Sequence, residues 1–180
     1  PVINIEEYIK KKSENNNKFS LNTTDTYFIA AGRLTKQKNF MYLIKEFKKF
    51  CNIYPKEKLL IFGEGELEIK LKNKIKNKKL YKNIKLAGYT DNIYKHMLRS
   101  KAFILSSLWE DPGFVLIEAM INDSLVLSSD CPNGPKEIVG NKNGILFQSN
   151  SEKDFILKFN QMIKLSDTEK KKFRVNAKKK

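Results

Sequence analysis

SLWEDPGFVLIEAM, residues 107–120, is the stretch on which the fold turns. Ahead of it KAFILSS, 101–107, reads as a short buried strand, and Pro112-Gly113 opens a helix over 114–122. A strand that runs through a glycine turn into a helix leaves backbone N–H groups facing the space beyond the strand. The positive end of the helix dipole faces the same way, so the turn suits an anion. Two carboxylates flank this turn, Glu110 and Glu118, with seven residues between them. Carboxylates cannot bind phosphate, but they accept hydrogen bonds from sugar hydroxyls, so the pair suits hydroxyl-rich groups attached to a phosphate. SSDCPNGPKEI, 128–138, follows as a second loop dense in small and turn-forming residues.

The same alternation extends in both directions. YFIAAG (27–32), LLIFGEG (59–65), NIKLAGY (83–89), 102–105, 124–128 and GILF (144–147) read as strands. Helices are expected at 39–54, 66–78, 91–100, 114–122, 135–139 and 152–164. Phe40, Leu43, Ile44, Phe47 and Phe50 recur at helical spacing, and Leu67, Leu71 and Ile75 mark an amphipathic surface helix. Asp91 and Ser151 are the expected N-caps. Strands alternating with helices imply an α/β fold with a parallel sheet, and continuous apolar runs imply helices on both faces. We expect one domain over 21–165, a linker or short helix over 1–20, and a Lys-rich tail, helical at its start, over 166–180.

In such folds ligands bind beyond the carboxyl ends of the strands. Gly32-Arg33, Gly63-Glu64-Gly65, Gly88-Tyr89, Ser106 to Gly113 and Ser129 to Pro135 all fall there. One glycine after one strand is commonplace, whereas five such loops on one edge describe a cleft.

Composition bounds the ligand. The chain has 180 residues, 41% hydrophobic and 31% charged, as expected of a soluble globular domain with a substantial core. Net charge is +15, from 35 Lys+Arg against 20 Asp+Glu, which favours phosphorylated ligands, acidic lipid surfaces or nucleic acid. The surplus is mostly Lys, a pattern that A/T-rich codons also produce. Only Arg33 and Arg99 precede Arg174, so the aromatic-plus-Arg clusters of a base-reading surface are absent and no nucleic-acid partner is expected. Cys51 and Cys131 form no disulfide framework and share no metal spacing, which points to a reducing, cytoplasmic setting. No apolar run approaches the roughly 20 residues that span a bilayer. The start at Pro1 suggests a piece of a longer protein.

Each candidate site residue has a plainer alternative. Gly32 permits a sharp turn after the first strand, and Arg33 and Lys38 beyond it suit a diphosphate, one as a two-pronged fork and one as a point charge. Lysines are everywhere in this chain, however, and Arg33 by itself also fits an ordinary surface. FGEGELE, 62–68, with Gly63, resembles half of a phosphate loop but lacks the third glycine of the dinucleotide fingerprint, which argues against a nicotinamide cofactor. Glu118 lies on an apolar helix that should be largely covered, on the face of Phe114, so it needs a partner or a cleft. His96, the single histidine, reads as solvent-facing or structural. No nucleophile–His system and no metal-ligand cluster is present in the sequence.

The ordered set GRL…QKN, FGEGE, LAGY…N, S…E-x7-E-AM, SSDCPNGPKEI and NG-I-LF resembles the C-terminal, donor-binding domain of group 1 glycosyltransferases over roughly residues 20–165. PVINIEEY resembles the linker that precedes it. The resemblance implies a retaining enzyme of two Rossmann-like domains, the GT-B architecture, with a nucleotide-sugar donor, UDP-linked by expectation, and no metal or other cofactor. By it, Arg33 and Lys38 hold the pyrophosphate, assisted by backbone N–H groups of Gly113, Phe114 and Val115. Glu118 bonds the ribose, Glu110 contacts the transferred sugar, and the backbone near Tyr89 meets the base. The acceptor, a glycan or lipid-linked sugar of surface-polysaccharide or lipooligosaccharide assembly, belongs to a separate N-terminal domain, without which little transfer is expected. The basic face and Lys-rich tail also suit an anionic surface at the inner face of the membrane, although ordinary solvated lysines account for them more simply. Two departures stand out: Asp111-Pro112 replaces the usual Gly-Phe, which bears on the sugar pocket, and Asp123-Ser124-Leu125 replaces Gly-x-Pro, where Asp resists a left-handed turn. A GT-B UDP-sugar epimerase and a non-catalytic basic anion-binding module are the competing readings.

Overall fold

The computed structural model describes residues 26–179, so the linker expected at 1–20 lies outside the described residues. Six strands form one sheet: β1 (Tyr27–Ala31), β2 (Leu59–Phe62), β3 (Ile84–Gly88), β4 (Ser100–Leu105), β5 (Leu125–Ser129) and β6 (Ile145–Phe147). Every described pairing is parallel, and the spatial order is β3-β2-β1-β4-β5-β6. The first described strand therefore lies in the middle of the sheet, and the chain works outward one way, then crosses back and works outward the other way. The reversal falls between β1 and β4, which is where such sheets open a crevice at their carboxyl edge.

The described helices are α1 (Phe40–Ile53), α2 (Glu68–Asn77), α3 (Ile93–Arg99), α4 (Phe114–Ile121), α5 (Pro135–Ile138), α6 (Glu152–Ile163) and α7 (Asp167–Ala177). Strand side chains alternate between two cores, as the pleat requires. Phe28 and Ala30 of β1 face Phe47 and Phe50 of α1 and Phe159 of α6. Tyr27 and Ile29 face the opposite layer, with Met97 of α3 and Leu116 and Ala119 of α4. Phe50 and Phe159 meet edge-on at 4.2 Å between ring centres, and Phe28 lies 4.9 Å from Phe159. This aromatic knot ties α1 and α6 to the central strand.

Local chemistry sets the helix ends. Ser151 caps α6 by accepting from the Asp154 N–H. At α3 the cap is Asn92, which accepts from the Lys95 N–H at 3.2 Å, in place of Asp91; the helix starts at Ile93, two residues after the expected boundary. Asp123 adopts the left-handed conformation (φ 59°) after α4 despite its Cβ. The Ser124 N–H bonds the Ala119 carbonyl there, closing the helix end. The turn is held from outside, because Arg174 Nε donates to the Asp123 carbonyl at 2.8 Å and Lys178 pairs with its carboxylate at 2.6 Å.

Those two contacts come from α7, which folds against the same sheet as the rest. Phe173 packs on one core and Ala177 on the other, so α7 reaches both layers. Among the described residues no helix is long and apolar enough to cross a membrane.

Candidate functional site

A cleft of about 390 Å³ opens at the carboxyl edge, beside the reversal point. Its walls come from the loop after β1 (Gly32, Arg33, Lys38), the loop after β2 (Gly63, Glu64), the loop after β3 (Tyr89, Thr90) and α4 (Val115, Glu118). Seven of the ten sequence-predicted site residues line it: Gly32, Arg33, Lys38, Gly63, Tyr89, Val115 and Glu118. Gly113, Phe114 and Glu110 are not in its wall. Thr90 and Ile93, unforeseen in the sequence, also line it, with Ala31 and Phe62 from the ends of β1 and β2.

The loop after β1 is laced to the loop after β4. Leu108 N donates to the Gln37 carbonyl at 2.8 Å, and Gln37 Nε2 donates to the Trp109 carbonyl at 3.0 Å. Ser106 Oγ donates to the Lys38 carbonyl at 2.8 Å. The side chain of Lys38 then runs over Gly32 so closely that a Cβ there would lie 2.8 Å from Lys38 Cε. Its ammonium ends on Glu110, 2.6 Å from Oε1 and 2.9 Å from Oε2.

Glu110 is thus buried beneath the cleft wall, 4% exposed, with its carboxylate already engaged. Ser107 Oγ donates to its Oε1 at 2.5 Å. Its own N–H donates to the Pro132 carbonyl at 3.1 Å, which joins the loop after β5 to the site. The same two loops touch again at Gly134, where an added Cβ would fall 1.9 Å from the Pro112 carbonyl oxygen, so only glycine fits.

Glu118 stands one helical turn beyond Phe114, half-buried in the cleft wall, as its position on an apolar helix required. Burial pushes its carboxyl pKa up, because a charge there is less well solvated. Arg33 is exposed at the cleft mouth and, among the described residues, makes no ion pair. Gly113 heads α4 in the left-handed conformation (φ 87°), and no side chain caps the helix. The first N–H groups of α4 therefore retain hydrogen-bonding capacity. The site combines two cations, an uncapped helix start and a half-buried carboxylate. That arrangement has the chemistry to take a phosphate at one end and hydroxyls at the other.

His96 and Cys131 lie outside the cleft wall. His96 lies against Phe62, 4.5 Å between ring centres, and near the Tyr27 hydroxyl. Burial pulls its pKa down to about 4. Cys131 is buried beside Ser129, and burial raises its thiol pKa. Among the described residues no three His, Cys, Asp or Glu side chains group as metal ligands.

Comparison with known proteins places this geometry. A sequence model described as group 1 glycosyl transferases matches residues 11–180. An uncharacterized glycosyltransferase of Methanocaldococcus jannaschii is 43% identical over 112 residues, 62% of this chain and 28% of its own length. An N-acetylgalactosamine-N,N'-diacetylbacillosaminyl-diphospho-undecaprenol 4-alpha-N-acetylgalactosaminyltransferase of Campylobacter jejuni is 30% identical over 158 residues, 86% of this chain and 42% of its own. The chain thus spans less than half the length of either relative. A mutant of S. aureus TarM, crystallised with Fondaparinux, alpha-GlcNAc-glycerol and UDP, superposes with a TM-score of 0.79 at 27% identity, over 87% of this chain and 32% of its own. The six-stranded order, the cleft at its reversal point and the match over residues 11–180 agree: this chain belongs to the group 1 glycosyl transferases.

Proposed function

We propose that this chain is the donor-binding domain of a retaining glycosyltransferase of GT-B architecture, taking a UDP-sugar. The carrying observation is the pairing of Arg33 and Lys38 with Glu118 in one cleft at the strand-order reversal. In this reading Arg33 and Lys38 hold the two phosphates, assisted by the N–H groups at the start of α4, and Glu118 accepts from the ribose hydroxyls. Gly63 and the backbone near exposed Tyr89 border the base.

Transfer breaks the bond between the anomeric carbon and the diphosphate, so negative charge grows on the leaving oxygen. A cation fixed before the reaction, as Lys38 is by Glu110, stabilises that charge without reorganising, which is a source of rate gain. Phosphate neutralisation is assigned to these side chains and backbone groups, with no metal ion in the scheme. Attack on the face that the diphosphate leaves, with the departing phosphate receiving the acceptor's proton, gives retention. The Campylobacter relative's name specifies alpha-linked N-acetylhexosamine transfer to a lipid-linked acceptor, and TarM was crystallised with UDP and an alpha-linked GlcNAc glycoside. Both support a hexosyl or N-acetylhexosaminyl donor. The acceptor, a glycan or lipid-linked sugar at the cytoplasmic membrane face, is assigned to a domain beyond the matched part of these relatives.

Calorimetry with UDP tests the reading. UDP should bind, and Arg33→Ala and Glu118→Ala should each weaken it about tenfold, the loss of one charged hydrogen bond. Binding that neither substitution weakens overturns the assignment.

A further inference from the structure

Lys38 and Glu110 meet in a way that the sharing of roles between phosphate and sugar does not account for. A carboxylate offers about four acceptor positions and an ammonium three donors. Three of the acceptor positions on Glu110 are taken, two by Lys38 and one by Ser107. Its side chain is 5% exposed, whereas that of Lys38 is 15% exposed and lines the cleft. Lys38 meets both oxygens of Glu110 and still keeps at least one N–H free of that contact.

Ser107 is itself fixed. It is fully buried, and its carbonyl accepts from Ser129 Oγ at 2.8 Å, which anchors it to the end of β5. The line of contacts therefore runs from β5 through Ser107 and Glu110 to Lys38, across the reversal point between β1 and β4. A free lysine sweeps many rotamers and loses them on binding a ligand. A lysine clamped through both carboxylate oxygens has already lost them.

We infer that Ser107 and Glu110 are positioning residues that hold the Lys38 ammonium over Gly32, with an N–H not bound to Glu110 directed at the donor diphosphate. This rests on the proposed nucleotide site and deepens it. It gives Glu110 a task on the protein side of Lys38, separate from contact with the transferred sugar, and assigns Ser107 a role that follows from its spacing of three residues from Glu110.

Two measurements on the full chain test it. The first compares UDP with uridine, which lacks the phosphates. Ser107→Ala should weaken UDP about five- to tenfold, leave uridine within about twofold, and have no effect in a Lys38→Met background. Equal loss with uridine, or an undiminished loss in that background, overturns the inference. The second needs no ligand: nitrogen NMR of the lysine ammonium groups. One slowly exchanging ammonium should be present in the wild type and absent from Lys38→Met and from Glu110→Gln. A folded wild type without it overturns the inference, even if Ser107→Ala fails to fold. If UDP does not bind, the nucleotide reading fails by itself and the ammonium signal still decides the positioning role.

Discussion

Lys38 reaches Glu110 across 72 residues of sequence, and its ammonium contacts both carboxylate oxygens, at 2.6 and 2.9 Å. The pair spans the point where the strand order reverses, so it ties together the two halves of the sheet as well as shaping the cleft. A charged pair this enclosed stabilises only while complete, because either partner alone is left desolvated.

Removal of one partner should therefore be expensive. Lys38→Met strands a buried carboxylate and should lower unfolding stability by about 3 kcal/mol in urea titration. Adding Glu110→Gln should restore part of the loss, since the second change removes the stranded charge. Additive losses would show the two side chains to be energetically independent.

The contact between Gly134 and Pro112 predicts a steric effect. An added methyl would meet the Pro112 carbonyl oxygen at 1.9 Å, at a backbone φ of 113°. Gly134→Ala must push the Pro112 loop away, at about 2–4 kcal/mol, and should weaken UDP binding by displacing the start of α4. Unchanged melting and unchanged affinity would contradict the tight approach of these loops.

Glu118 predicts a pH dependence. Its carboxyl pKa is raised in the folded chain above the ordinary 4.5 by burial. The folded state then holds this proton more tightly than the unfolded state, so stability falls as pH rises from about 4.5 through the raised value. Glu118→Gln should be more stable than wild type at neutral pH, with the gain fading below pH 4.5, while losing nucleotide affinity. Denaturation at a series of pH values checks the sign, and a variant less stable at neutral pH would contradict it.

His96 works in the opposite direction. Burial against Phe62 holds its pKa near 4, below the ordinary 6.5. The unfolded chain takes up this proton first, so stability is full above pH 6.5 and is lost as pH falls toward 4. His96→Gln should flatten that part of the profile; an unchanged slope would place the titration elsewhere.

Much of this was readable along the chain. Six apolar runs, each ending in a glycine, serine or asparagine loop, are enough to read a doubly covered parallel sheet, because burial on both faces suppresses the alternation of an exposed strand. The loop residues Gly32, Arg33, Gly63 and Tyr89 followed from the strand ends. The order β3-β2-β1-β4-β5-β6 did not, since periodicity carries no information on which strands are neighbours. Nor did the partnership of Lys38 with Glu110, which depends on that order. Read locally, Asp123 is ill suited to a left-handed turn, yet Arg174 and Lys178 from α7 hold it there. The shift of the α3 cap from Asp91 to Asn92 reflects two adjacent residues of nearly equal capping strength, separable only by the Lys95 contact.

A crystal structure of the chain with UDP bound tests the central claim most directly. The account predicts the diphosphate at the reversal point, within hydrogen-bond reach of Arg33, of Lys38 and of the first N–H groups of α4, with the ribose on Glu118. UDP seated outside this cleft, or seated within it with Arg33 turned away and Glu118 untouched, would contradict it.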